Sequence, residues 1–192
     1  GDQVTLIAVP LVAVLLLRAT AVQMGYLVAV GWLPYLLFAV HAGALIDRLP
    51  NRRPVMIGSD VGRALLMATI PAAHALGVLT LGYLLAVVFL IGTLSVFFNV
   101  ASQVMFVSML PREDYLQGQS LSSGSRAFAY IAGPSLGGLL VQVFSGPVAL
   151  LVDGASYLVS AVCLCCIRPV EPIPTRHAPG HLMGGIRFIR KS

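Results

Sequence analysis

The sequence predicts an all-α membrane protein with six transmembrane helices. Composition sets the class. Of 192 residues, 58% are hydrophobic and 10% charged, where a soluble domain carries ~25% charged residues, and the mean hydropathy is +0.92. The helices follow from the apolar runs, such as 24–46 and 55–73, which match the ~20 residues needed to cross a bilayer as a helix. Their number follows from knots of charge that separate the runs. The net charge of +5 does not point to nucleic acid, because the basic residues stand in loops and in the tail, where membrane topology places them.

The first helix is 2–17, closed by Arg18 and bent locally by Pro10. No basic stretch or small-residue cleavage site accompanies this run, so it does not read as a signal peptide. A start at Gly1 and an end on a basic stretch at Ser192 are what a fragment is expected to show. The second helix, 24–46, carries Trp32, Pro34, Tyr35 and His41 on a polar and aromatic face. Asp47, Arg48, Arg52 and Arg53 follow, and Pro50 and Pro54 stop one helix from running through. The third helix, 55–73, holds Asp60 and Arg63 one turn apart. No charged side chain occurs between Arg63 and Arg112, a stretch too long for one span, so the chain turns near His74–Gly77. The fourth helix is 79–107. After the loop Pro111–Asp114, the fifth is 118–144 and contains Arg126. Gly146-Pro147 makes the last turn, and the sixth helix, 148–167, has Asp153 near its start. The remainder, 168–192, reads as a basic tail or linker.

Counting Lys and Arg orients the chain. Arg48, Arg52, Arg53, Arg112, Arg168, Arg176, Arg187, Arg190 and Lys191 fall on one side, and Arg18 alone falls in a loop on the other. This bias places loops 47–54 and 108–117 and the tail in the cytoplasm. Cys163, Cys165 and Cys166 lie inside an apolar run with no tetrahedral metal spacing, so they read as packing or lipid-facing residues. There is no phosphate loop, zinc spacing or partnered nucleophile, so neither an enzyme nor a bound cofactor is expected. The abundance of Gly, Ala and Arg over Lys suggests a bacterium with a GC-rich genome, hence its inner or plasma membrane.

Two motifs carry a family resemblance. Gly43-x-Leu45-x-Asp47-Arg48 with its basic cluster resembles the loop between helices 2 and 3 of the major facilitator superfamily of secondary transporters, with Pro50 where the family has glycine. Gly133-Pro134-x-x-Gly137-Gly138 is similar to the antiporter signature of that superfamily, with Ser120 and Ala129 in place of two upstream glycines. Gly1-Asp2 with Ala8-x-Pro10-Leu11, and Phe97-Phe98-Asn99 ahead of Pro111-Arg112-Glu113, resemble the drug–proton antiporter branch that includes macrolide and siderophore exporters. The fourth helix lacks the arginine that many proton-coupled relatives carry.

The resemblance implies the amino-terminal half of a twelve-helix fold, built from two inverted three-helix repeats. Asp60 and Asp153, and Pro34 and Pro134, are faint internal echoes of such a repeat. It further implies proton-driven export of a small amphipathic molecule by alternating access. The partners would be that substrate, protons, the lipid bilayer and a carboxy-terminal six-helix half. A cavity lined by helices 1, 2, 4 and 5 would draw its walls from Trp32, Tyr35, Phe98, Asn99, Gln103 and Tyr130.

Charges within spans are costly and therefore candidates for function. Counted from the cytoplasmic face, Asp2, Asp60, Arg63 and Arg126 share the inner third. A network is expected in which Asp47 and Asp60 pair with Arg48, Arg63 and Arg126 and latch the outward-facing state. A static cluster that only neutralises buried charge is the alternative. For proton exchange Asp2 is the first candidate, because helix 1 lines the family's cavity, and Asp153 is the second. Two other readings remain: an importer of the same superfamily, which the Gly133-Pro134 motif disfavours, and a non-transporting scaffold or receptor that pairs through helix 5.

Overall fold

In the computed structural model, residues 2–109, 111 and 113–166 are described. Among them lie six helices: α1 Asp2–Leu17, α2 Ala21–Ile46, α3 Arg53–Ala75, α4 Leu81–Met109, α5 Tyr115–Phe144 and α6 Gly146–Cys166. Five of these, α2 to α6, are long and apolar enough to cross a membrane, and α1 is a shorter apolar helix. The tail 168–192 lies outside the described residues.

Local chemistry sets the helix ends. α2 begins three residues before the expected Met24 because Thr20 caps it. The Thr20 hydroxyl accepts from the Gln23 N–H at 3.4 Å, and the Gln23 side chain accepts from the Thr20 N–H at 2.9 Å. That reciprocal pair is a capping box. α3 opens with Pro54 in its first turn, where a missing N–H costs nothing. It closes at Gly77, whose φ of 70° suits glycine. There the Gly77 N–H reaches the His74 carbonyl and the Val78 N–H reaches Ala73, both at 3.0 Å, which is a Schellman ending.

Between α5 and α6 the chain turns one residue earlier than Gly146-Pro147 suggests. Ser145 takes φ 83° and ψ 158°, a region nearly reserved for glycine and worth about 1–3 kcal/mol of strain for other residues. Gly146 is instead needed for close approach, since a Cβ there would lie 2.7 Å from the Val12 side chain on α1. Ser145→Gly is therefore expected to stabilise the protein by about 1 kcal/mol after the extra entropy of glycine is offset. An unchanged or lower melting temperature of the purified protein would remove the claim of strain.

α3 packs against both α6 and α4. α2 packs on α4, and α1 on α5 and α6, while α5 also runs along α6. Exchanging helices 1–3 with helices 4–6 maps α2–α4 onto α5–α1 and α3–α4 onto α6–α1, and returns α3–α6 to itself. Three spans is an odd number, so the second triplet enters from the opposite face. The tight seams obey the same exchange. Where α4 meets α2, a Cβ on Gly92 would come within 3.0 Å of the Gly31 carbonyl and the Pro34 ring. Where α5 meets α1, a Cβ on Gly133 would collide with Gln3, and one on Gly137 would lie 3.3 Å from the Val4 Cα. Pro34 and Pro134 thus occupy equivalent seams. The α5–α6 contact has no α2–α3 counterpart of similar extent.

The interior has two apolar cores. One joins Ala8, Val12, Met67, Ile70, Leu84 and Leu150 with their neighbours. The other, at the end that holds the 47–52 loop, joins Ile46, Met56, Ala101, Met105 and Leu164. Along α3 the residues from Gly58 to Arg63 belong to neither core, and there the chain buries its charge.

Candidate functional site

The buried charged layer begins with a helical repeat. Asp60 and Arg63 are one turn apart on α3, so both point to the same side. They form an ion pair with side chains 0% and 2% exposed. Arg63 is held on three further sides. Its guanidinium lies 4.5 Å from the centre of the Phe98 ring on α4 and 4.4 Å from that of Tyr157 on α6. It also donates to the Ser95 hydroxyl at 3.4 Å. A flat, weakly hydrated guanidinium suits such a slot better than an ammonium group does. Ten residues separate Arg63 from the start of α3, or ~15 Å of rise along the helix.

The layer continues to α1. The Thr5 hydroxyl donates to Asp153 Oδ2 on α6, and it lies 3.3 Å from the Tyr157 hydroxyl. Asp153 is 2% exposed and Tyr157 5%. Four helices, α1, α3, α4 and α6, are therefore joined by Thr5, Asp153, Tyr157, Arg63, Asp60, Ser95 and Phe98. Asp153 does not act as an N-terminal stabiliser, because it stands seven residues into α6.

The other sequence candidates fall elsewhere. Asp47, Arg48 and Arg126 are exposed, and among the described residues no ion pair joins them to Asp60 or Arg63. Arg53 donates instead to the carbonyl of Cys165 in the last turn of α6, where a cation complements the helix dipole. Arg52 is half-buried. Gly43 and Gly138 have open space where a Cβ would sit, whereas Gly133 and Gly137 form the α1–α5 seam around Pro134. The Asp2 side chain lies outside the described residues.

Some of the cavity candidates meet. Asn99 on α4 donates to the Tyr35 hydroxyl on α2 at 2.9 Å, and Trp32 stacks obliquely on Tyr35 with ring centres 5.7 Å apart. Trp32 is 64% exposed, and Gln103 is exposed on α4 one turn past Asn99. Tyr130 is 66% exposed on α5, apart from that cluster. Phe98 belongs to the Arg63 slot. His41 is exposed, its ring near the Leu37 carbonyl of its own helix. The three cysteines are free and exposed on α6.

An all-helical bundle of two matching triplets, with a buried ion pair between them, defines a multi-pass membrane protein of the inverted-repeat type. The model of the Major Facilitator Superfamily matches residues 1–190, and the chain belongs to that family. It is 28% identical over 202 residues to the multidrug efflux pump Tap of Mycolicibacterium fortuitum, covering 98% of this chain and 48% of the pump. It is 27% identical to the pump of the same name in Mycobacterium tuberculosis, covering 98% of this chain and 47% of the pump. With the macrolide efflux protein A of Streptococcus pyogenes it shares 22% identity, over 72% of this chain and 34% of that protein. The chain thus spans about half the length of the curated relatives that it matches along nearly all of its own. No solved structure matches it.

Proposed function

We propose that this chain is the amino-terminal half of a secondary transporter that exports a small amphipathic molecule, such as a drug, macrolide or siderophore, in exchange for protons. The observation that carries the reading is the match to a multidrug efflux pump along 98% of the chain. The bundle supports it. α2 and α5 leave broad apolar faces uncovered, with Leu36, Val40, Leu116 and Ile131 among the most exposed residues. Such faces suit a second six-helix half, reached through the 168–192 linker, and the Trp32–Tyr35–Asn99 cluster suits one wall of a shared cavity. Loops 47–54 and 108–117 and the tail face the cytoplasm in this reading, by the excess of Arg and Lys.

Asp47 is the conformational residue in this proposal. A carboxylate at the C-terminal end of α2 opposes the helix dipole, and Asp47 is exposed there. Its latch partner is then a group of the other half rather than Arg63 or Arg126. The test is erythromycin accumulation in a drug-susceptible bacterium that expresses the full-length protein. Expression is expected to lower accumulation. Asp47→Asn should return it to the level of empty cells with membrane insertion intact. No effect of the wild type at any expression level would remove the export reading, and full activity of Asp47→Asn would remove the latch.

A further inference from the structure

The seam between α3 and α6 carries an open groove of about 210 Å³ on its outer side. Its floor is Ala64 and Gly154, where the two helices touch: a Cβ on Gly154 would lie 3.4 Å from the Ala64 carbonyl. Leu65 of α3 and Leu151 and Leu158 of α6 are its walls, and all three are exposed. Every lining residue is apolar, and water does not fill such a cleft. The second six-helix half is assigned to the faces of α2 and α5, which leaves this groove to the bilayer.

The same seam ends on a cation. Arg53, at the start of α3, reaches across to the carbonyl of Cys165 in the last turn of α6. That carbonyl is neutral, and among the described residues no carboxylate pairs with Arg53. Its Nε is buried without a hydrogen-bond partner among them. A guanidinium has donors to spare after one such bond, and its flat fork matches the oxygens of a phosphate.

Helical register places the cation in line with the groove. Ala64 comes eleven residues after Arg53, and Gly154 eleven residues before Cys165. Eleven residues make about three turns and ~16 Å of rise, so on each helix the two positions share a side. That rise is close to the depth of one leaflet, half of a ~30 Å hydrocarbon core. A lipid whose phosphate rests at Arg53 therefore has acyl chains of the right length to enter the groove.

We propose that the α3–α6 seam binds one anionic phospholipid, with its phosphate on Arg53 and one acyl chain in the groove between Leu65, Leu151 and Leu158. The lipid belongs to the leaflet at the end that holds the 47–52 loop. Basic pockets between spans hold anionic headgroups in this way. The lipid ties α3 to α6 on their outer side, behind the residues that carry the buried ion pair. The proposal needs the chain to span a bilayer but does not rest on the export reading, and its test needs no transported substrate.

The full-length protein is purified in detergent and stripped of lipid, and binding of the first lipid is followed by native mass spectrometry. The probes are dioleoyl phosphatidylglycerol, dioleoyl phosphatidylcholine and glycerol phosphate. Phosphatidylglycerol should bind about fivefold more tightly than phosphatidylcholine, the scale of one basic residue at an anionic surface. Arg53→Gln should erase that preference, and Arg53→Lys, which keeps the charge, should retain most of it. Ala68 and Ala155 line the groove and are exposed, so Ala68→Leu with Ala155→Leu fills it without entering the core. That double variant should weaken both lipids several-fold. Equal binding of the two lipids, or a preference untouched by Arg53→Gln, would overturn the headgroup contact. Lipid binding unchanged in the filled groove, or glycerol phosphate competing as well as the whole lipid, would overturn the acyl-chain site.

Discussion

Arg63→Met is expected to destabilise the folded bundle by about 3–5 kcal/mol, the loss seen when one partner of a buried ion pair is removed. Asp60 would stay fully buried with no cation beside it, and the rings of Phe98 and Tyr157 would lose the group between them. Arg63→Lys keeps the charge but not the flat, two-sided contact. It should lose less, on the order of 1–2 kcal/mol. Asp60→Leu combined with Arg63→Met removes both charges and should recover most of the stability. The measurement is the fraction of detergent-solubilised full-length protein that stays monodisperse after a temperature ramp. An Arg63→Met protein as heat-resistant as the wild type would show that the pair does not hold the bundle together. The double variant then separates support from function: if it folds but exports nothing, the charge acts in transport and not only in assembly.

Gly133→Ala is expected to force α1 and α5 apart at a cost of about 1–3 kcal/mol. A methyl group at Gly133 would collide with the Cβ of Gln3, an atom tied to the α1 backbone that cannot swing away. Membrane helices gain stability from this kind of close approach between small residues. Gly138→Ala is the internal control, because the same motif has open space there. Gln3→Gly in the Gly133→Ala background should restore the seam. Protease sensitivity of the membrane-embedded protein reads the effect. Equal sensitivity of the Gly133→Ala and Gly138→Ala variants would mean that the motif does not pack this seam.

The helices were legible because apolar runs and charge knots alternate so sharply. Their ends were less so. Thr20-x-x-Gln23 signals a helix start, and it was hidden beside a run that already looked long enough. The charged layer was half legible. Asp60 and Arg63 announce each other by spacing on one helix. Thr5 and Asp153 do not, because 148 residues separate them and a lone threonine in an apolar run carries no local signal. Tyr157 and Phe98 read as ordinary packing aromatics until Arg63 is placed between them. Arg126 shows the limit of counting residues inward from a surface. Depth fixes the height of a side chain but not the side of the helix it leaves from, and α5 sends its arginine outward.

The exchange symmetry of the contacts has a consequence for biosynthesis. Within the first three helices, α1 barely meets α2, and the principal partners of α3 are α4 and α6. When the ribosome has delivered α1–α3, little packed structure exists, and Arg63 has not yet met the tyrosine that will cover it. The core of this half closes only as α6 arrives, which makes assembly dependent on distant pairings and slow by comparison with a chain of local hairpins. During that interval an unfinished charged helix waits in the insertion machinery. Nascent chains arrested before α6 should therefore be more open to membrane quality-control proteases than chains that include it.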